Sequence, residues 1–159
     1  MVAATVFFFL ERDRVAAKWK TSLTLAGIVT GVAAWHYMYM RGYWVQSSPV
    51  VLRYVDWLIT VPILMVEFYI ILKAVNVSSS VFWKLLIAST IMLVFGYMGE
   101  SGMMNVMTAF VIGMAAWLYM IYEIFAGEAG QASANSGNGP AQTAFNALRL
   151  IVTVGWAIY

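Results

Sequence analysis

Between Arg53 and Glu67 the chain reads Arg53-Tyr54-Val55-Asp56-Trp57-Leu58-Ile59-Thr60-Val61-Pro62-Ile63-Leu64-Met65-Val66-Glu67. One arginine and two carboxylates stand inside an apolar run that continues to Leu72. Ionisable groups at membrane depth are costly to bury, so each is a candidate for function. On a helix, Thr60 falls about 40° round from Asp56, and Glu67 returns to within about 20°. All three therefore share a face. The step from Asp56 to Glu67 rises about 16 Å, roughly half the hydrocarbon thickness of a bilayer. Carboxylates stacked in this way suit a proton path, with one group near mid-membrane and the other nearer a surface.

Each residue also has a plainer reading. Asp56 can pair with Arg53 three positions earlier and simply hold the helix. Burial disfavours a charged carboxylate and a neighbouring cation favours it, so a group placed between the two is switched by moving a positive charge beside it. That is the behaviour of a proton acceptor. Glu67 has no basic residue within a helical turn, so desolvation favours its protonated form, as a proton donor requires. Alternatively it snorkels to an interface near Lys73. Thr60 can relay or position a proton, or bond back to its own backbone. His36 is the single histidine of the chain. It either packs helices through a hydrogen bond or tunes the acceptor from the preceding span. That count argues against a histidine-based metal site, and zero cysteines exclude disulfides and thiolate sites. Pro62 releases the carbonyl of Leu58 and is expected to kink the helix. Met92 and Gly96 share a face, where glycine leaves room for a close approach. Glu100 is expected to be solvated.

These residues need a membrane scaffold, and the composition supplies one. The 159 residues are 63% hydrophobic and 10% charged, with mean hydropathy +0.82. That is a membrane composition. A net charge of +2 with no basic-aromatic run gives no reason to invoke nucleic acid. Residues 2–10 are too short to span a bilayer and read as the tail of a truncated first helix. A charged loop follows at 11–20, then a span over 21–40. A polar connection at 41–51 contains Pro49 and leads into the Arg53 helix. A polar turn at 76–80, a span over 81–98 and a tight glycine-bearing connection at 99–103 come next. The next span covers 105–125, and the Gly-, Ser-, Asn- and Ala-rich stretch 127–140 reads as a flexible loop. A last apolar segment covers 141–159. This makes five near-complete spans after the stub, in one domain over 1–159.

Alternate connections carry Arg12, Arg14, Lys18, Lys20, Lys73, Lys84 and Arg149, against only Arg41 and Arg53 on the other side. By the positive-inside rule the Arg53 helix enters from outside near Pro49 and reaches the cytoplasm near Lys73. Asp56 then lies on the outer half and Glu67 on the inner half.

The stretch from Arg53 to Glu67 closely resembles the third helix of proteorhodopsins, retinal-binding proton pumps among the microbial rhodopsins. Trp35-His36-Tyr37-Met38-Tyr39-Met40-Arg41-Gly42, Phe95-Gly96-Tyr97-Met98-Gly99-Glu100 and Gly155-Trp156-Ala157-Ile158-Tyr159 resemble the same family in the same order. The resemblance covers essentially the whole chain. It implies an all-α membrane protein, an incomplete seven-transmembrane-helix rhodopsin bundle from the end of the first helix through part of the sixth. It implies a light-driven outward proton pump, an ion transporter rather than an enzyme. Asp56 would be proton acceptor and counterion to a protonated retinal Schiff base, Glu67 the cytoplasmic donor, and Thr60, Arg53 and His36 supporting residues. Trp57, Leu64, Met92, Gly96, Trp117, Trp156 and Tyr159 would line the retinal pocket, with no metal. Leucine at position 64 marks green-absorbing relatives. The family's all-trans-retinal is held covalently by a lysine of the seventh helix. That lysine and a second counterion aspartate are absent from this sequence, and Lys18, Lys20, Lys73 and Lys84 fall in loops or at helix ends. The expectation is therefore a partial sequence that does not bind retinal covalently by itself. The implied partners are protons, the lipid bilayer and further copies in a homo-oligomer, in the bacterial inner (plasma) membrane. A retinal-based light sensor would share Asp56 but need no Glu67. A chromophore-free structural membrane subunit would need neither.

Overall fold

The computed structural model describes residues 1–73 and 77–158. Helix α1 (Val2–Glu11) leads through a 3₁₀ turn (Ala17–Trp19) into α2 (Lys20–Trp44). Helices α3 (Val50–Lys73), α4 (Ser79–Glu100) and α5 (Val106–Phe125) follow. A short α6 (Glu128–Ala134) precedes α7 (Gly139–Leu150), which runs on through a π turn (Ile151–Gly155) into a last helical turn, Trp156–Ile158. Among the described residues there is no strand. In a bilayer this is expected, because a helix satisfies its backbone groups internally.

Side-chain pairs fix the antiparallel order of the first five helices. Thr5 donates to Thr30 at 3.0 Å and Arg12 to Thr24 at 2.9 Å, so α1 runs down α2. Ser22 near the start of α2 meets Glu67 near the end of α3, Arg53 meets Glu100, and Lys84 meets Glu123 at 3.6 Å. Small residues let these helices approach. A methyl group at Gly27 would stand 3.0 Å from the Phe9 ring. The helix starts are locally specified: Ser78 accepts from Ser80 N at 3.2 Å, Asn105 from Met107 N at 3.0 Å, and Asn138 from Ala141 N at 3.2 Å. Gly102 sits at φ +77° in the turn between α4 and α5, a conformation glycine adopts at no steric cost. The fully buried centre is built from Met65, Phe68, Leu72, Leu85, Met120 and Phe145, which tie α3, α4, α5 and α7 together.

Three expectations change. Helix α2 continues past position 40 to Trp44, where the Tyr39 and Tyr43 hydroxyls meet at 3.0 Å, so the polar connection shrinks to 45–49. Residues 128–134 are helical rather than a flexible loop. Ala129, Gly130 and Ser133 are buried there, because small side chains that look loop-like in sequence also allow close packing. Of the five expected spans, three stretches are long and apolar enough to cross a membrane among the described residues: Val50–Lys73, Ser79–Glu100 and Val106–Ala134. Helix α2 equals them in length, but its serines, threonines and glycines, His36 and Arg41 dilute its apolar character. The last segment is interrupted by the π turn. The turn expected at 76–80 lies partly outside the described residues, at Asn76.

Candidate proton-transfer site

Helix α3 carries the ionisable groups inward, as its spacing requires. Asp56 is 2% exposed, Thr60 6% and Glu67 6%. Proline 62 lies inside the helix, which runs on to Lys73. The carboxylate of Asp56 leaves Oδ1 buried without a hydrogen-bond partner among the described residues. His36 on α2 bears electrostatically on Asp56, and its own buried Nδ1 is likewise unpartnered. The two helices thus bring an imidazole within electrostatic reach of a carboxylate, without a hydrogen bond from its Nδ1.

Arg53 does not close on Asp56. Its guanidinium pairs with Glu100 of α4 and stacks over Trp57 at 5.4 Å and Trp44 at 5.9 Å. Glu100 stays exposed, as expected, while pairing with Arg53, and the expected intrahelical Arg53–Asp56 pair is corrected. One helical turn separates the two side chains in height, and an aromatic bracket draws the guanidinium toward α4. Thr60 donates its hydroxyl to the carbonyl of Asp56 at 3.0 Å. It touches Asp56 through the backbone, not through the carboxylate.

Glu67 accepts a short hydrogen bond, 2.6 Å, from the Ser22 hydroxyl, while its Oε1 is buried without a described partner. Its burial sets aside the reading as a snorkelling side chain. Sequence spacing gave no sign of Ser22, 45 positions away on another helix. A second group was missed in the same way. Lys84 reaches Glu128 at 2.9 Å and the buried Glu123 at 3.6 Å, and Ser80 donates to Glu128 at 2.7 Å.

Leu64, Met92, Trp117 and Trp156 all pack against the buried core, and the Trp117 indole donates to the Val152 carbonyl at 3.4 Å. A Cβ at Gly96 would stand 2.9 Å from the Tyr54 hydroxyl, so the expected close approach is made by that phenol. Tyr54 in turn packs edge-on to Trp57, centroid to centroid 4.9 Å. Tyr159 lies outside the described residues. Among the described residues no group of acidic or histidine side chains could hold a metal ion. The arrangement offers two buried carboxyl groups on one helix, each with one oxygen that has no hydrogen-bond partner among the described residues.

The sequence profile of the Bacteriorhodopsin-like protein family matches residues 1–159. The chain belongs to that family. This bacteriorhodopsin-like chain is 59% identical over 162 residues to the green-light absorbing proteorhodopsin of Gamma-proteobacterium EBAC31A08, covering 100% of this chain and 65% of that protein. It is 56% identical to the blue-light absorbing proteorhodopsin of Gamma-proteobacterium Hot 75m4, covering 64% of that protein. Its fold is similar to the crystal structure of a blue light-absorbing proteorhodopsin from Med12, with a TM-score of 0.81 and 55% identity over 99% of this chain and 70% of that one. The chain thus spans about two thirds of the length of the curated relatives it matches, 65% and 64%. With its apolar helices it is a multi-pass membrane protein of the rhodopsin type.

Proposed function

We propose that this chain is the greater part of a seven-helix rhodopsin bundle, from the end of the first helix into the sixth, and that the complete protein is a light-driven outward proton pump. The observation that carries the reading is the pair of buried carboxyl groups on α3, Asp56 at 2% and Glu67 at 6% exposure, each with an oxygen lacking a described partner. A purely structural helix has little reason to bury two such groups at that cost. The light-sensor reading leaves Glu67 without a task.

The residues present fit a retinal. Gly96, Leu64, Met92, Trp57, Trp117 and Trp156 offer apolar and aromatic walls, and Tyr159 is proposed to join them. The orphaned Asp56 oxygen offers a counter-charge. Retinal supplies light absorption and a photoisomerisation that displaces a proton. Asp56 takes up a proton at its carboxylate on the outer half, with His36 beside it tuning that uptake. Arg53, paired with Glu100, holds positive charge at the outer end, where a released proton leaves. Glu67 gives a proton toward mid-membrane, in the direction of Asp56, along the same helix face and is reprotonated from the cytoplasm; Thr60 braces the turn between them. Outward direction follows from the cationic residues at the cytoplasmic ends. Leu64 at the pocket wall favours absorption in the green. The host compartment is the bacterial inner membrane, and further copies of the chain are proposed as partners.

The test uses the completed gene. Reading the coding sequence beyond Tyr159 should yield a further span with a mid-membrane lysine. Cells expressing that protein with retinal should acidify their medium on illumination. Asp56→Asn should abolish this and move the visible band to the red; unchanged transport and colour would remove Asp56 from the acceptor role.

A further inference from the structure

The four lysines divide into two kinds. Lys20 stands 3.8 Å from Asp13, and Lys84 stands 2.9 Å from Glu128. Lys18 and Lys73 have no carboxylate partner among the described residues, although Glu11 and Asp13 lie in the same connecting segment as Lys18. Those two acids are already engaged, Glu11 by Arg14 at 2.8 Å and Asp13 by Arg12 at 3.3 Å as well as by Lys20. The two unpaired lysines line one cavity of about 390 Å³, together with Trp19, Thr21 and Ile70. Lys18 lies over the Trp19 indole, 5.3 Å from its centroid.

The position of this cavity is informative. It is formed where the 3₁₀ turn before α2 meets the last turn of α3, so its floor is the end of a membrane-spanning helix. Tryptophan at such a place marks the level of lipid headgroups. Two ammonium groups and a hydroxyl supply donors, while Ile70 and the indole face supply an apolar side. A soluble anion needs no apolar side, whereas a lipid has both parts. Basic pockets between helices at the cytoplasmic surface take anionic headgroups.

We propose that this cavity binds the phosphate of an anionic phospholipid of the inner leaflet, with Lys18 and Lys73 as its cationic pair, Thr21 as a hydroxyl donor, and Trp19 and Ile70 against the glycerol and upper acyl chain. The site lies beyond Glu67 on the side of α3 that ends at Lys73, shares none of the residues assigned to proton transfer and does not depend on the pumping assignment. Free phosphate shares the headgroup's anionic chemistry, and the experiment separates the two.

The chain is reconstituted in vesicles of equal parts phosphatidylcholine and phosphatidylglycerol, extracted in mild detergent, and the retained lipid is counted by native mass spectrometry. Phosphatidylglycerol should be retained in preference to phosphatidylcholine. At about fivefold per lysine, the Lys18→Gln/Lys73→Gln double variant should hold it roughly 30-fold more weakly. The Lys18→Arg/Lys73→Arg variant should restore retention, which separates lost charge from lost folding. Lys84→Gln/Arg149→Gln removes equal charge from the same membrane side and should leave retention unchanged. Equal loss in both glutamine variants, or equal retention of the two lipids by the unaltered chain, overturns the site. Displacement of the lipid by millimolar inorganic phosphate overturns the lipid assignment in favour of a free anion.

Discussion

Glu67 holds one carboxyl oxygen against the Ser22 hydroxyl and keeps the other free of described partners. In the completed pump, Glu67→Gln should slow the late recovery of the photocycle, and small permeant weak acids should restore it. Flash photolysis measures both, and undiminished recovery would end the donor assignment. Ser22→Ala tests the hydrogen bond without light: the Glu67 carboxyl stretch, identified by its loss in Glu67→Gln, should move to higher frequency in the infrared spectrum. The alternation of charge and apolarity along one helix made Asp56 and Glu67 legible in the sequence, because spacing on a single helix is fixed by its geometry. Ser22 and Glu100 were not legible. They reach their partners across helix pairs, and the sliding register between two helices is set by packing that no local spacing encodes. Thr60 illustrates a third case, where position was read correctly but the hydroxyl turned to its own backbone.

Whole helices show the same division. The starts of α4, α5 and α7 carry Ser78, Asn105 and Asn138 as caps, so their positions follow from short-range chemistry. The end of α2 does not, because Arg41, Gly42, Tyr43 and Trp44 suit an interfacial helix as readily as a loop. Helix α6 was hidden by composition: glycine, serine and alanine serve a flexible linker and a tight helix contact equally. The Gly96–Tyr54 approach gives a test at this scale. Gly96→Ala should cost about 1–3 kcal/mol, through overpacking against the phenol. In a Tyr54→Phe background, which removes the nearest atom, thermal unfolding should show much of that loss recovered. Equal penalties in both backgrounds would mean the contact is not the cause.

Across the molecule, charge placement decides orientation and hence, on the proposed function, the direction of pumping. The sequence has no cysteine, so single thiols can be introduced without interference. Ser47→Cys, in the short connection between α2 and α3, should react with an impermeant maleimide added outside intact cells. Asn135→Cys, at the end of α6, should react only after the membrane is opened. The reverse pattern would invert the proton path. The all-helical membrane character was readable because hydropathy is a long-range average that survives local errors. How the last segment passes from α7 to Trp156 was not, since a π turn leaves no compositional mark.

That π turn has a consequence for how the bundle tolerates change in length. It amounts to one surplus residue lodged in an otherwise regular ladder. Deleting one residue between Ile151 and Gly155 should heal the ladder and leave the residues beyond in phase, whereas deleting one from the regular part of α7 would swing everything beyond by about 100°. Trp156 would leave the side of the helix that packs on the core only in the second case, although both deletions shorten the span by the same fraction of a turn. Between Leu150 and Trp156 the chain thus tolerates a change of length that it does not tolerate a few residues earlier.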